Sequence, residues 1–180
     1  SALALMRDYL TVLRRLLAGE RVTYQGAALT LRGLQLDLDS LPYTPVYLAA
    51  LGPQMLRLAG QLADGVALNW CTPEQVAWSR DRLVEGATRV GRPRQAVRVV
   101  EYIRVCVDQD ANRARRAFVR ALLGYALGRP GASPDEHRRG YRGHFQRMGF
   151  GDALDHLEGM RDQGASMAEM VDAFPPELAQ

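Results

Sequence analysis

Three short apolar runs, each followed by a turn and an amphipathic stretch, constrain this chain more than any other feature. The first is Val46-Tyr47-Leu48-Ala49-Ala50, the second is Val66-Ala67-Leu68-Asn69-Trp70, and the third spans residues 97–107. Continuous apolar runs of this kind read as strands buried on both faces. After the first run, Leu51-Gly52-Pro53 turns into a helix over 54–63, with Met55, Leu58, Ala59 and Leu62 inward. Pro53 falls in the first helical turn, where a missing N–H is tolerated. After the second, Thr72 caps a helix with Pro73 in first position and Gln75 completing a T-x-x-Q capping box. Val76, Leu83, Val84 and Ala87 form its core face, and Gly91 stops it. After the third, Asp108-Gln109-Asp110 leads into a helix with Ala114, Ala117, Phe118, Ala121, Leu122 and Tyr125 as one stripe and Gly128 as terminator. Strand and helix alternating in this order specify parallel βαβ units, and hence the α/β class.

Upstream, Leu3, Met6, Leu10, Leu13 and Leu17 recur at helical spacing before Gly19, which predicts a helix over 1–18 that starts with no cap of its own. Residues 22–24 and 28–31 flank Gln25-Gly26 as a small hairpin, and Leu34, Leu36 and Leu38 alternate in an extended segment. Pro42 and Pro45 then bracket a turn. Downstream, Ser133-Pro134-Asp135-Glu136 repeats the capping chemistry, 152–160 is helical, and 175–180 opens one more helix. Three parallel strands cannot close a barrel and leave two edges with unpaired backbone groups. The pattern is therefore expected to be an arc of something larger.

Composition narrows the function. A chain of 180 residues that is 47% hydrophobic, with 17 Gly and 9 Pro, is neither disordered nor collagen-like, and one domain over 1–180 is the expectation. The net charge is only +3, with all 23 basic residues Arg, and mixed signs argue against a nucleic-acid binder. Cys71 and Cys106 are too few and too far apart for a disulfide framework or a CxxC metal site, so they read as free thiols in a reducing compartment. The longest apolar run, residues 46–51, is far short of the ~20 needed to cross a bilayer. Arg7, Asp8, Arg14 and Arg15 interrupt the first helix, which does not fit a signal peptide, so a cytoplasmic location is expected.

The run Pro45-Val46-Tyr47-Leu48-Ala49-Ala50-Leu51-Gly52-Pro53-Gln54-Met55-Leu56-Arg57-Leu58-Ala59-Gly60, continuing Leu62-Ala63-Asp64-Gly65-Val66-Ala67-Leu68-Asn69-Trp70, resembles the luciferase-like flavin and deazaflavin oxidoreductases, and in particular their deazaflavin-dependent branch. Gly19-Glu20-Arg21-Val22, Tyr24-Gln25-Gly26, Thr72-Pro73-Glu74, Gly91-Arg92 and Val105-Cys106-Val107-Asp108 fit in the expected order. The resemblance implies a partial TIM (β/α)8 barrel, roughly strands five to seven with their helices and an insertion before strand eight. It also implies hydride transfer between a deazaflavin, coenzyme F420, and a small organic substrate. An FMN-dependent monooxygenase of the same family is the first alternative, and a catalytically inert fragment that persists by association is the second. The early strands, which help hold the cofactor ring in that family, have no counterpart here, so no catalytic residue is carried over.

The residues present suggest where a cofactor would sit. Ala50, Leu51, Gly52, Pro53 and Gln54 lie at a strand end and helix start, where free amides and the helix dipole favour an anion; the resemblance assigns this turn to the phosphate-bearing cofactor tail. A plain βα connection is the competing reading. Asn69 offers a donor and an acceptor, and Trp70 offers a broad surface unless it packs under the following helix. Thr72 reads as a cap, and Cys71, with no neighbouring His in the sequence, as an unreactive thiol. Glu101 and Arg104 interrupt the third strand, where ion pairing is the leading explanation, with proton transfer by Glu101 as the other. His137, His144 and His156 lack ligand spacing, and no metal site is expected. Arg113, Arg115, Arg116 and Arg120 form a solvated helix face, while Arg138-Arg139-Gly140-Tyr141-Arg142-Gly143-His144-Phe145 is either a lid over a site or an exposed loop.

Overall fold

The structure is a computed structural model that describes residues 1–38 and 42–179. It divides into two compact units, Ser1–Asn69 with Val76–Glu101, and Trp70–Gln75 with the chain from Tyr102 onward.

The first unit carries the strand and helix repeats. Helix α1 (Ala2–Leu17), expected to start without a cap, is capped by Ser1, whose hydroxyl accepts from the Ala4 amide. The hairpin forms as β1 (Val22–Gln25) and β2 (Thr30–Leu34), with Gln25 opposite Thr30 and Tyr24 opposite Leu31. Regular extended structure stops at Leu34, so the expected alternation through Leu38 is not part of a strand. Strand β3 (Tyr47–Ala49) pairs in parallel with β4 (Gly65–Asn69), placing Ala49 opposite Ala67, and β5 (Arg98–Tyr102) completes the sheet order β3-β4-β5. Helix α2 (Pro53–Leu62) follows β3, and α3 (Pro73–Thr88) follows β4.

Two expectations about these strands need correction. Leu48 is buried but Ala49 is exposed, so β3 buries one face, because an apolar run records what a strand could bury rather than what packs on it. The third run yields only the five residues of β5; Ile103 and Val105 are each 75% exposed and Val107 90%. Apolar content alone does not make a strand without a neighbour to complete its hydrogen bonds.

Polar ties hold this unit's turns. The buried Asp8 carboxylate accepts from Tyr24 Oη at 2.8 Å and from the amides of Ala28 and Leu29 at 2.7 and 3.1 Å, anchoring the hairpin to α1. The Ala28 amide above all, with the other donors, holds its pKa below the ordinary range against the opposing effect of burial. Asp64 accepts from the Val46 amide at 2.9 Å and pairs with Arg14 at 2.6 Å. Burial alone would raise its pKa, but Arg14 and the Val46 amide outweigh burial and lower it. Arg92 donates to the carbonyls of Gly60 and Ala63, both at 2.9 Å, satisfying groups that the end of α2 leaves without helical partners. Helices α2 and α3 meet backbone to backbone: a Cβ on Gly60 would strike the Leu83 carbonyl, and one on Gly86 the Arg57 carbonyl.

The second unit is helical. Helix α4 (Ala111–Ala126) is capped by Asp110, which accepts from Asn112 and Arg113. Its buried face is Val119, Leu122, Leu123 and Ala126, while Ala117, Ala121 and Tyr125 face outward. The expected stripe is thus rotated by about one residue, because the larger aliphatic side chains win the interior. Short helices α5 (Pro134–His137) and α6 (Gly140–Phe145) lead through a π-helical turn at 146–150 into α7 (Gly151–Asp162) and α8 (Met167–Ala173). Capping boxes open α5 at Ser133 and Glu136 and α8 at Ser166 and Glu169. The 138–145 segment is exposed at Arg138, Arg139 and Gly140 but not at its end: Arg142 is 5% exposed, His144 0% and Phe145 1%, so the end of its helix packs into the second unit, with Phe145 in the core beside Phe150, Leu154, Leu157 and Phe174. The final turn is 3-10 helix over Pro176–Ala179, and the end of that predicted helix, Gln180, lies outside the described residues.

Candidate functional site

In the first unit, the predicted residues Ala50 to Gln54 and Asn69 gather at the C-terminal ends of two paired strands. Ala49 pairs with Ala67, so two residues on, Leu51 and Asn69 leave the sheet at the same edge. The Ala50 amide is spent within the sheet, donating to the Ala67 carbonyl at 3.3 Å. The first intrahelical bond of α2 runs from the Leu56 amide to the Gly52 carbonyl at 3.0 Å. The amides of Gly52, Gln54 and Met55 therefore precede the helical ladder, at the positive end of the helix. Gly52 has φ −88° and ψ 151°, a conformation open to any residue, so its absent side chain is not required by the backbone. A Cβ placed there meets nothing within 4 Å, which leaves room against the main chain. Gln54 is exposed and Asn69 half-buried. Such a corner can receive an anionic group through backbone amides while Asn69 supplies a side-chain donor or acceptor nearby.

Trp70 belongs to the second unit and is 9% exposed. Its ring packs on Phe118 and Tyr125 of α4 and on Phe145 of α6, at centroid distances of 5.4, 5.8 and 6.2 Å. Most of the surface expected for a ligand is thus taken by the protein's own rings. Its φ is +57°, a left-handed conformation that costs a bulky residue ~1–2 kcal/mol. His144 Nε2 lies 2.8 Å from the Trp70 carbonyl; since a carbonyl only accepts, Nε2 carries the proton and donates, fixing this strained turn. Thr72 is a cap, its hydroxyl accepting from the Gln75 amide at 3.3 Å.

Arg104 and Cys71 have surroundings that the sequence did not show. Arg104 is stacked among Trp70, Tyr102 and Tyr125, 4.5, 4.6 and 4.9 Å from the ring centroids, and donates to Tyr125 Oη at 3.0 Å. A planar guanidinium is held well by aromatic faces, surroundings that the strand alternation did not reveal. Cys71 does have a histidine beside it: its Sγ is 3.8 Å from His144 Nε2, a neighbour 73 positions away in the chain. Arg147 also acts on this sulfur. Burial lowers the Arg147 pKa, and its attraction to Cys71 opposes that shift.

A second polar cluster lies between α6 and α7. Arg142 donates to Glu158 Oε1 at 3.0 Å and also bonds Asp155; Glu158 accepts from the Gly128 amide at 2.5 Å and stands 4.0 Å from His137 Nδ1. A cleft of about 210 Å³ beside it is lined by His137, Arg138, Arg142 and Asp155. Of the solvated Arg face, Arg113 pairs with Asp108 at 2.7 Å and Arg116 with Asp172. Among the described residues no group of His, Cys, Asp or Glu could hold a metal ion, and no helix is long and apolar enough to cross a membrane.

The chain belongs to the luciferase-like monooxygenase family, whose sequence profile matches residues 1–179. It is 30% identical over 132 residues to the 5,10-methylenetetrahydromethanopterin reductase of Archaeoglobus fulgidus, covering 73% of this chain and 40% of that protein. It is 29% identical over 111 residues to the F420-dependent glucose-6-phosphate dehydrogenase of Microbacterium testaceum, covering 61% and 33%. The coenzyme F420-dependent tetrahydromethanopterin reductase of Methanopyrus kandleri shares the mixed α/β fold, with a TM-score of 0.75 at 22% identity over 98% of this chain and 48% of that one. The chain therefore spans less than half the length of these relatives.

Proposed function

We propose that this chain is the middle-to-late part of a (β/α)8 barrel domain of an F420-dependent oxidoreductase, acting on a small organic substrate. The observation that carries the reading is the corner at residues 50–54: amides ahead of the α2 ladder, open space at Gly52, and Asn69 at the neighbouring strand end. These residues fit the phosphate-bearing tail of a deazaflavin cofactor. Relatives named as F420-dependent favour that cofactor over FMN. Coenzyme F420, when bound, supplies a ring that takes up or releases a hydride. The part left to this chain is anchoring: Gly52, Gln54 and Met55 present donors to the anionic tail, and Asn69 orients what lies beside it. Titration of the purified chain with F420 and separately with FMN, followed by cofactor fluorescence, tests this. Saturable binding of F420 in preference to FMN supports it, and equal or absent binding contradicts it.

A second reading, that the chain alone is catalytically inert and persists by association, is favoured by the exposure of Ile103, Val105 and Val107 beyond β5. Solution size together with turnover distinguishes the two readings: a monomer with measurable hydride transfer rules out the second.

A further inference from the structure

The two cysteines differ in a way that the corner at residues 50–54 does not explain. Cys106 is exposed, whereas Cys71 is half-buried between the strained Trp70 and the cap Thr72. A thiol is nucleophilic only as the thiolate, and its neighbours decide how much thiolate exists. One neighbour is His144, fully buried, whose Nε2 proton is already required by the Trp70 carbonyl. That requirement sets the imidazole's role toward sulfur. At 3.8 Å from Sγ the same N–H can be shared with the sulfur, but Nε2 has no lone pair with which to accept a thiol proton. An N–H donor stabilises S⁻ and gains little from S–H. Arg147 adds a permanent positive charge that is coupled to the same sulfur. Histidine and arginine thus act in the same direction. Cys106 shows no comparable pair among the described residues.

We propose that Cys71, beside the Nε2–H of the buried His144, is a reactive thiolate site for soft electrophiles, with low-molecular-weight disulfides as its ligand class. The step is an exchange: the Cys71 sulfur attacks one sulfur of the disulfide, a new S–S bond forms as the old one breaks, and the departing thiolate carries away the electron pair. No further oxidant is required. The proton lost when Cys71 ionises goes to solvent, since His144 Nε2 is already protonated.

The test uses an aromatic disulfide, 5,5′-dithiobis(2-nitrobenzoic acid), whose released thiolate is coloured. Single-thiol proteins, Cys106→Ser and Cys71→Ser, assign the two reactions, and the rate of each is followed from pH 5 to 10. Cys71 is expected to react at pH 7 roughly tenfold faster than Cys106 despite being less exposed, with an apparent pKa below the ordinary thiol value of about 8.5. Arg147→Gln, which spares the buried imidazole, is expected to move that pKa upward while leaving the Cys106 profile in place; circular dichroism and a thermal melt confirm that the fold is retained. A Cys71 profile centred at or above about 8.5, one insensitive to Arg147→Gln, or no reaction in the folded chain would overturn the proposal.

Discussion

The two units differ in how deeply their ion pairs are buried and in what their buried charges hold. In the first, charges at the turns serve the backbone: Asp8 accepts two hairpin amides, Asp64 the Val46 amide, and Arg92 donates to the carbonyls ending α2, while the half-buried Arg57–Glu85 pair joins α2 to α3 at 2.7 Å. In the second, Arg142 and Glu158 face each other at 5% and 6% exposure, within a core rich in aromatic rings. Backbone-directed charges pin turns and can be weakened one at a time. A facing buried pair fails together, because removal of one member strands the other in a medium that solvates it poorly.

The largest effect is therefore expected in the second unit. Glu158→Gln leaves Arg142 without its buried counter-charge and should cost ~3–5 kcal/mol, read by denaturant unfolding with Trp70 as reporter in a Trp78→Phe background. A loss below ~1 kcal/mol would mean that Asp155 alone suffices, and the contrast would fail. Next, Gly86→Ala should cost ~1–3 kcal/mol in the first unit by forcing α3 away from the Arg57 carbonyl, whereas Gly124→Ala, where a Cβ meets nothing within 4 Å, should be neutral or stabilising in the same thermal melts. Ser166→Ala removes half of the α8 capping box and should cost ~1 kcal/mol, visible as faster amide exchange in that helix.

The smallest effect separates the units by pH. Because the folded Asp8 pKa is depressed, its contribution to stability is complete above the unfolded value near 3.9 and is lost as pH falls through the lower folded value. Exchange protection of the hairpin should therefore fall below about pH 4, and Asp8→Asn should weaken protection at neutral pH while flattening that acid limb. An unchanged acid limb in the variant would place the titration elsewhere.

The same contrast explains what could be read from the chain. Alternation of strand and helix in the first unit was legible because its apolar spacing follows the two backbone periods. The strings that carry the family resemblance turn out to contain much scaffold: Asp64 ties β3 to β4, Arg92 closes the end of α2, and Tyr24 meets Asp8. The corner at Gly52 was legible as a strand-to-helix turn, but not the fact that the Ala50 amide is already used, which depends on register with Ala67. In the second unit, His144 and Arg142 looked like surface residues because composition around 138–145 is polar; partners up to 74 positions away bury them. The histidine beside Cys71 was hidden for the same reason, since it lies on α6, 73 positions along the chain.

The central claim is that the open corner before α2 receives an anionic cofactor tail. It is tested most directly by the F420 affinity of Gly52→Glu relative to the unaltered chain, because the backbone there admits any residue and the added side chain meets only open space. A loss of at least tenfold, about 1.4 kcal/mol, with an unchanged melting temperature is the predicted result. Equal affinity in the two proteins would contradict it.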